Sequence, residues 1–174
     1  MNLLTLITKI ENSAEFSKFK KENPRAELCA GFFILDFKPK HETYSLDYKA
    51  GDKIFSFSLG DNDKIEMREE EIIRGERKLE PINPKIEVDV ENLLEICEEE
   101  FLNNKIGKKI EKIIAVLQNT DNKTIWNLTC MAEGFSIIMI HIDSLTGKIL
   151  KFEKKSLFDI VAIKKNEKPK KQDI

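Results

Sequence analysis

Segments in which apolar and polar residues alternate run through most of this chain, and they limit its fold more than any other feature. In Glu42–Lys49, for example, Tyr44, Leu46 and Tyr48 share one side. A period of two is typical of a strand that turns one face to the core and the other to water. Many such strands, with helical segments at two places, predict an α+β protein built on antiparallel sheet.

Eight strands are predicted from the alternation and from the turn residues that separate them. In the first half they cover Cys29–Phe37, Glu42–Lys49, Lys53–Leu59 and Lys64–Arg68. In the second half they cover Ile110–Leu117, Thr124–Cys130, Phe135–Ile142 and Lys148–Glu153.

Helical periodicity appears ahead of each set of strands. It predicts helices over Leu3–Glu11, over Ser13–Glu22 and from Asp89 to about Leu102, with Ser13 and Asp89 as N-caps. The charged segment Glu69–Lys78 is predicted to be helical in part, and Ser156 to cap a short helix through Val161.

The two halves share one order of elements, a helix followed by four strands. Adding 82 to a residue number brings Phe19 to Phe101, Leu28 to Ile110 and Tyr44 to Trp126. One inserted residue then brings the third strands into line, and a second insertion the fourth. Agreement over a helix and four strands predicts an internal duplication. The first repeat would cover residues 1–80 with the N-terminal helix and the second residues 81–163, joined near Pro81–Val88. A lysine-rich tail, 164–174, is expected to be disordered.

The second half carries a recognisable pattern. A strand with an aromatic residue, Thr124–Cys130, is followed by a strand that runs into the hairpin Asp143-Ser-Leu-Thr-Gly147. Over about Asp89–Glu153 this resembles the PepSY family, and the resemblance implies two cystatin-like, PepSY-like αβββ(β) repeats. The first half has Gly60-Asp-Asn-Asp63 at the corresponding turn. PepSY-like modules are typically extracytoplasmic binding or inhibitory units, often attached to peptidases. Three phrases, GFFILDF, KIIAVLQN and IWNLTC, are similar to cytoplasmic archaeal proteins.

Charge and cysteine content limit the partners and the compartment. The 29 basic and 31 acidic residues give a net charge of −2, which argues against a nucleic-acid binder. No run of about 18 apolar residues predicts a membrane span. The first residues lack a signal-peptide pattern. Cys29, Cys97 and Cys130 are odd in number and form no CxxC pair, so we expect buried thiols and a reducing cytoplasm.

Few residues suggest catalysis. His141 lies two residues before Asp143, and a carboxylate beside an imidazole could orient it for proton transfer. A histidine at the rim of a turn explains the same residue without catalysis, and His41 is expected in water. Two histidines and three scattered cysteines do not have metal-ligand spacing. We therefore assign no catalytic, cofactor-binding or metal-binding residue, and we expect no cofactor.

Other features have structural explanations as well as functional ones. Glu69–Glu71 and Glu98–Glu100 are charge runs typical of solvated helix faces. Trp126 and Tyr44 are expected to pack in the core of their halves, with a paired aromatic ligand site as the alternative. The favoured function is a non-enzymatic binding or regulatory module with a protein or peptide partner. The alternative is a structural or oligomerisation protein that uses an apolar sheet face, as a monomer or a homodimer.

Three predicted strands are apolar on both faces. Phe32–Phe37, Ile113–Leu117 and Phe135–Ile142 carry apolar side chains at odd and even positions alike. One helix per half can cover only one face, so a second layer is required. We expect that layer to come from the chain itself, from the opposite half, the Leu3–Ile10 helix or the Leu157–Val161 segment, with a second chain as the alternative.

Overall fold

The computed structural model describes residues 1–71 and 79–156, which form three α-helices and eight strands. The helices are α1 (Leu3–Glu11), α2 (Ala14–Glu22) and α3 (Leu93–Asn103). The strands of the first half are β1 (Glu27–Phe37), β2 (Lys40–Ala50), β3 (Lys53–Leu59) and β4 (Ile65–Glu71). Those of the second half are β5 (Ile110–Thr120), β6 (Lys123–Ala132), β7 (Ser136–Asp143) and β8 (Ile149–Ser156).

The helix starts follow the capping rules. The Ser13 hydroxyl accepts a hydrogen bond from the N–H of Phe16 at 3.1 Å, as predicted. Asp89 caps a short 3-10 turn, Val90–Asn92, that leads into α3. The same Asp89 carboxylate accepts from the N–H of Leu3 at 2.8 Å, so it also ties the start of α1 to the second half.

All eight strands join into one antiparallel sheet with the order β4-β3-β2-β1-β5-β6-β7-β8. Each half is a four-strand meander, and the first strands of the two halves pair with each other at the centre. The predicted α+β class with antiparallel sheet is confirmed. The pairing of β1 with β5 makes the halves one continuous surface.

The strand registers refine the match between the halves. A β-bulge interrupts the β1–β2 ladder at Cys29, and another interrupts the β5–β6 ladder at Glu111, 82 residues later. Beyond the hairpins this spacing fails, because β5–β6 is one residue pair longer. Tyr44 lies opposite Phe33, whereas Trp126 lies opposite Leu117. The expected equivalence of Tyr44 with Trp126 is therefore wrong by two residues.

The helices pack on one side of the sheet. In α2, the Phe19 ring lies 4.8 Å from that of Phe55 and 5.1 Å from that of Phe57. Leu6 in α1 and Cys97 in α3 are fully buried in the same continuous core. Because directly paired residues of an antiparallel sheet share a face, the core residues of all eight strands define this helix side.

The linker between the halves is fixed along the sheet. The N–H of Ile82 donates to the carbonyl of Leu28 at 2.9 Å, and the N–H of Val88 donates to that of Ser144 at 2.9 Å. Ile82 and Val88 are also buried. The Pro81–Val88 connection therefore bridges β1 of the first half and the β7–β8 turn of the second.

Two local predictions are wrong and two cannot be placed. Glu69–Glu71 continue strand β4, because their backbone pairs with β3, so no helix begins there. Phe135 is a turn residue with a φ of 59° and a 78% exposed side chain, and β7 begins after it. The rest of the predicted helix before Lys78, the Leu157–Val161 segment and the tail lie outside the described residues.

Candidate interaction surface

The side of the sheet away from the helices carries an apolar patch at its centre. We call this side the open face and its four central residues the central patch: Phe32 and Ile34 on β1, Ile114 and Val116 on β5. Phe32 pairs with Val116 and Ile34 with Ile114 across the central junction. All four are half-buried and belong to none of the fully buried core.

Polar residues flank the central patch on both sides. Along the row of Phe32 and Val116, β2 and β3 present Ser45 and Ser58, and β6 and β7 present Asn127 and His141. Along the next row, Thr43 and Thr129 flank the two isoleucines, and Met139 lies beyond Thr129. An apolar centre with a polar rim is the usual anatomy of a protein–protein interface.

The two outer strands differ in charge on the open face. On β4 the open-face side chains are Glu66, Arg68 and Glu70, two negative and one positive. On β8 they are Lys151, Glu153 and Lys155, two positive and one negative. Glu153 pairs with Lys151 at 2.8 Å and with Lys155 at 3.6 Å, which leaves one net positive charge on that edge.

Ion pairing also occurs inside the open face. Lys112 on β5 meets Asp36 on β1 at 2.9 Å. Asp47 on β2 is half-buried, and burial raises the pKa of its carboxyl although a hydrogen bond from Ser56 opposes the rise.

The expected source of a second layer has to be revised. The predicted N-terminal helix, α1, packs on the helix side, because Leu3, Leu6 and Ile10 belong to the same buried core as α2 and α3. The opposite half lies beside the first half in the same sheet. Of the intramolecular candidates, only the Leu157–Val161 segment lies outside the described residues.

The candidate acid–base residues serve local structure. Asp143 Oδ1 accepts from the N–H groups of Leu145 and Thr146, both at 3.0 Å, and so closes the β7–β8 turn. These hydrogen bonds, the one from Thr146 foremost, hold the pKa of Asp143 below its ordinary value. His141 is half-buried on the open face, between Asn127 and Lys151 on the neighbouring strands, and His41 is exposed.

The three cysteines are buried, as predicted. Cys29 sits at the β1 bulge and donates to the Asp47 carbonyl at 3.2 Å, and burial raises its pKa to about 12. Cys97 on α3 and Cys130 on β6 meet with their sulfurs 3.5 Å apart. That contact and burial both raise the pKa of Cys97. Thiols in this condition are poor nucleophiles.

Trp126 and Tyr44 both lie in the core, as predicted. Trp126 is fully buried, and its Nε1–H donates to the Val88 carbonyl at 2.8 Å. Tyr44 donates its hydroxyl to Glu42. The Phe33 ring lies near both aromatic rings, 5.3 Å from Trp126 and 6.1 Å from Tyr44. The alternative of a paired aromatic ligand site needs exposed rings, which these residues do not offer.

One feature escaped the sequence, a polar cleft of about 580 Å³ where the linker passes the β5–β6 and β7–β8 turns. Asn83, Lys85, Asn119, Lys123 and Asp143 are among its lining residues. Asn119 donates to the Pro81 carbonyl at 2.9 Å, while its Oδ1 is buried without a partner in the described part of the chain. Its residues come from three distant segments, so no sequence pattern marks it.

Two further searches covered the described residues, 1–71 and 79–156. They contain no group of three or more His, Cys, Asp and Glu side chains placed to hold a metal ion. None of their helices has the length and apolar character needed to cross a membrane.

Comparison with known proteins supports the fold. No protein-family model and no curated protein matches the chain. The fold is similar to the crystal structure of a putative lipoprotein from Clostridium difficile 630, with a TM-score of 0.58 and 14% sequence identity. The match covers 81% of this chain and 90% of that one. At this level of identity the likeness is one of fold alone.

Proposed function

We propose that this protein is a non-enzymatic binding module that holds a polypeptide partner against its open face. The observation that carries the proposal is the central patch, whose four apolar residues lie half-buried on the side opposite all three helices. Burying such a surface on a partner gains about 25 cal/mol for each Å² of apolar area removed from water.

The chemistry of the partner follows from the surface. Apolar side chains would contact the central patch, and hydroxyl or amide groups would meet the rim of Ser45, Thr129 and Asn127. A basic segment is favoured over β4 and an acidic one over β8, because the two edges carry opposite net charges. The candidate catalytic groups already have structural roles, in the turn at Asp143 and in the core at Cys97 and Cys130.

We also propose that the two halves arose by duplication of a PepSY-like, cystatin-like unit. The bulges at Cys29 and Glu111, 82 residues apart, support this origin, because a bulge at matching positions is not required by hydrophobic patterning. Phe19 and Phe101, also 82 residues apart, are both buried helix residues. A structure of each half expressed alone would test whether either is an independent folding unit.

The proposed compartment remains the cytoplasm, on the ground of cysteine usage. An odd number of cysteines, all buried, suits a reducing environment. The structural neighbour's printed name describes a lipoprotein, which is the competing possibility for this chain. Fractionation of the native cells, followed by immunodetection, separates the two.

A photo-cross-linking amino acid placed at position 114 tests the binding function in native lysate. We expect a discrete adduct after illumination, because position 114 lies in the central patch. The same amino acid at Leu102, which is 75% exposed, is the matched control. Adding Val116→Glu to the position-114 variant should abolish the adduct by placing a charge in the contact.

An adduct that forms equally from position 102, or that survives Val116→Glu, would contradict the proposal. Circular dichroism of each variant before illumination establishes that it is folded.

A further inference from the structure

We infer that the partner on the open face is a second copy of this chain, packed face to face about a two-fold axis parallel to the strands. The inference rests on the proposed function and names its partner. It is carried by the way residues on the two halves of the open face complement one another.

The axis would lie midway between the two sheets, over the junction of β1 and β5. Rotation about it places β5 of one copy over β1 of the other. In the row of the central patch, Phe32 then faces Val116 of the second copy, and in the next row Ile34 faces its Ile114. Further out, Ser45 faces Asn127 and Ser58 faces His141, because these residues lie at equal distances from the junction. Apolar groups therefore meet apolar groups, and polar groups meet polar groups.

The same rotation brings strands of opposite charge together. It places β8 of one copy, with net positive charge, over β4 of the other, with net negative charge. Glu66 and Lys151 lie in one row at opposite ends of the sheet, so the dimer would contain this pair twice. Asp36 and Lys112 also exchange places across the axis. A perpendicular in-plane axis would instead place β8 over β8 and like charges together.

Packed sheets cross at about 30°, so the match by row is closest at the centre and looser at the edges. The size of the face is adequate. Eight strands spaced about 4.8 Å apart span roughly 34 Å, and seven residues at about 3.3 Å span roughly 23 Å. The resulting area of about 800 Å² is what each partner contributes to a standard interface.

Sedimentation equilibrium of the full chain, between about 1 and 100 µM, tests the inference. We expect a dimer for the wild type and a monomer for Ile114→Glu or, as a second variant, Val116→Lys. Both variants should keep the helical and strand signal of the parent, because the central patch lies outside the buried core. A wild type that remains monomeric at the upper concentration overturns the inference.

Charge reversal tests the proposed arrangement. Lys151→Glu and Glu66→Lys should each weaken dimerisation by about tenfold, since each change turns two attractive pairs into repulsive ones. An equimolar mixture of the two variants should restore dimer formation, because every pair in the mixed dimer is again of opposite sign. Lys154→Glu is the control: it is exposed on the same strand but points to the other face, and it should leave the dimer unchanged.

The outcomes separate the inference from the proposed function. If the mixture stays monomeric, or if Lys154→Glu weakens the dimer as much as Lys151→Glu, the face-to-face arrangement is wrong. A monomeric wild type that still forms an adduct from position 114 with another protein overturns self-association and leaves the binding function standing. A monomeric wild type without any such adduct overturns both.

Discussion

Phe33 lies directly opposite Ala115 where β1 pairs with β5, and both side chains are fully buried. Eighty-two residues separate them, which is the spacing that relates the bulges of the two halves. A large and a small residue thus face each other at the centre of the sheet. The Phe33 ring occupies the space over the junction and packs edge-on against Trp126 and Tyr44.

Gly31→Ala should destabilise the fold because of that ring. A Cβ at position 31 would lie 2.7 Å from Phe33 Cε2, and the buried ring has little room to move. We expect a loss of about 1–3 kcal/mol in the free energy of unfolding, measured by urea titration. Gly107→Ala is the control, because a Cβ there has no atom within 4 Å. Equal stability of the two variants would show that the Phe33 ring can yield.

Ile138→Asp and Met139→Asp distinguish the two sides of the sheet. Ile138 is fully buried on the helix side, whereas Met139 is half-buried on the open face. We expect Ile138→Asp to lose several kcal/mol or fail to fold, since it buries an unpaired charge. Met139→Asp should lose about 1 kcal/mol or less. Thermal melts at low concentration, where a dimer would be absent, provide the comparison, and equal losses would mean that both faces are dry.

Trp126→Phe should cost about 2–3 kcal/mol in the free energy of unfolding. The change removes the Nε1–H donor and leaves the buried Val88 carbonyl without its partner, while the smaller ring leaves a cavity. Because Val88 ends the linker, we also expect faster amide exchange at Val88, whose N–H bonds to Ser144. Unchanged exchange there would show that the tryptophan does not hold the linker.

The cysteines should resist thiol reagents in the native protein at pH 8. Burial raises the pKa of Cys29 to about 12 and also raises that of Cys97, and Cys130 is fully buried. We expect slow reaction in buffer and release of three equivalents of reagent chromophore in denaturant, followed by absorbance with a disulfide reagent. Fast labelling of any one cysteine in the folded state would contradict the described burial.

Asp47→Asn should raise the melting temperature at pH 7. Burial raises the pKa of Asp47 in the folded state, so its contribution to stability is full below the ordinary value of 3.8 and is lost as the pH rises through the folded value. The asparagine lacks this loss, and the gain over wild type should disappear at acidic pH. Asp52→Asn, in the exposed β2–β3 turn, is the control. A gain that does not vary with pH would assign the effect to something other than ionisation.

Much of the local structure could be predicted from the sequence, because local structure depends on neighbours in the chain. Alternation located all eight strands, and Ser13 and Asp89 marked helix starts with the hydrogen bonds expected of caps. The burial of Cys97 and Trp126 followed from their apolar faces. The error at Glu69–Glu71 has a local cause: charged residues favour helix in isolation, but pairing with β3 holds them in a strand.

Only the tertiary structure decided how these elements meet. Periodicity tells which residues share a face, but it does not tell that β1 pairs with β5 or that α1 packs beside α2 and α3. Those choices depend on contacts between residues far apart in the chain, which no local pattern encodes. They determine that the two-sided apolar strands lie at the centre of one sheet. They also determine that Phe32 and Ile114 face outward on the side without helices, because a single helical layer can bury only one face.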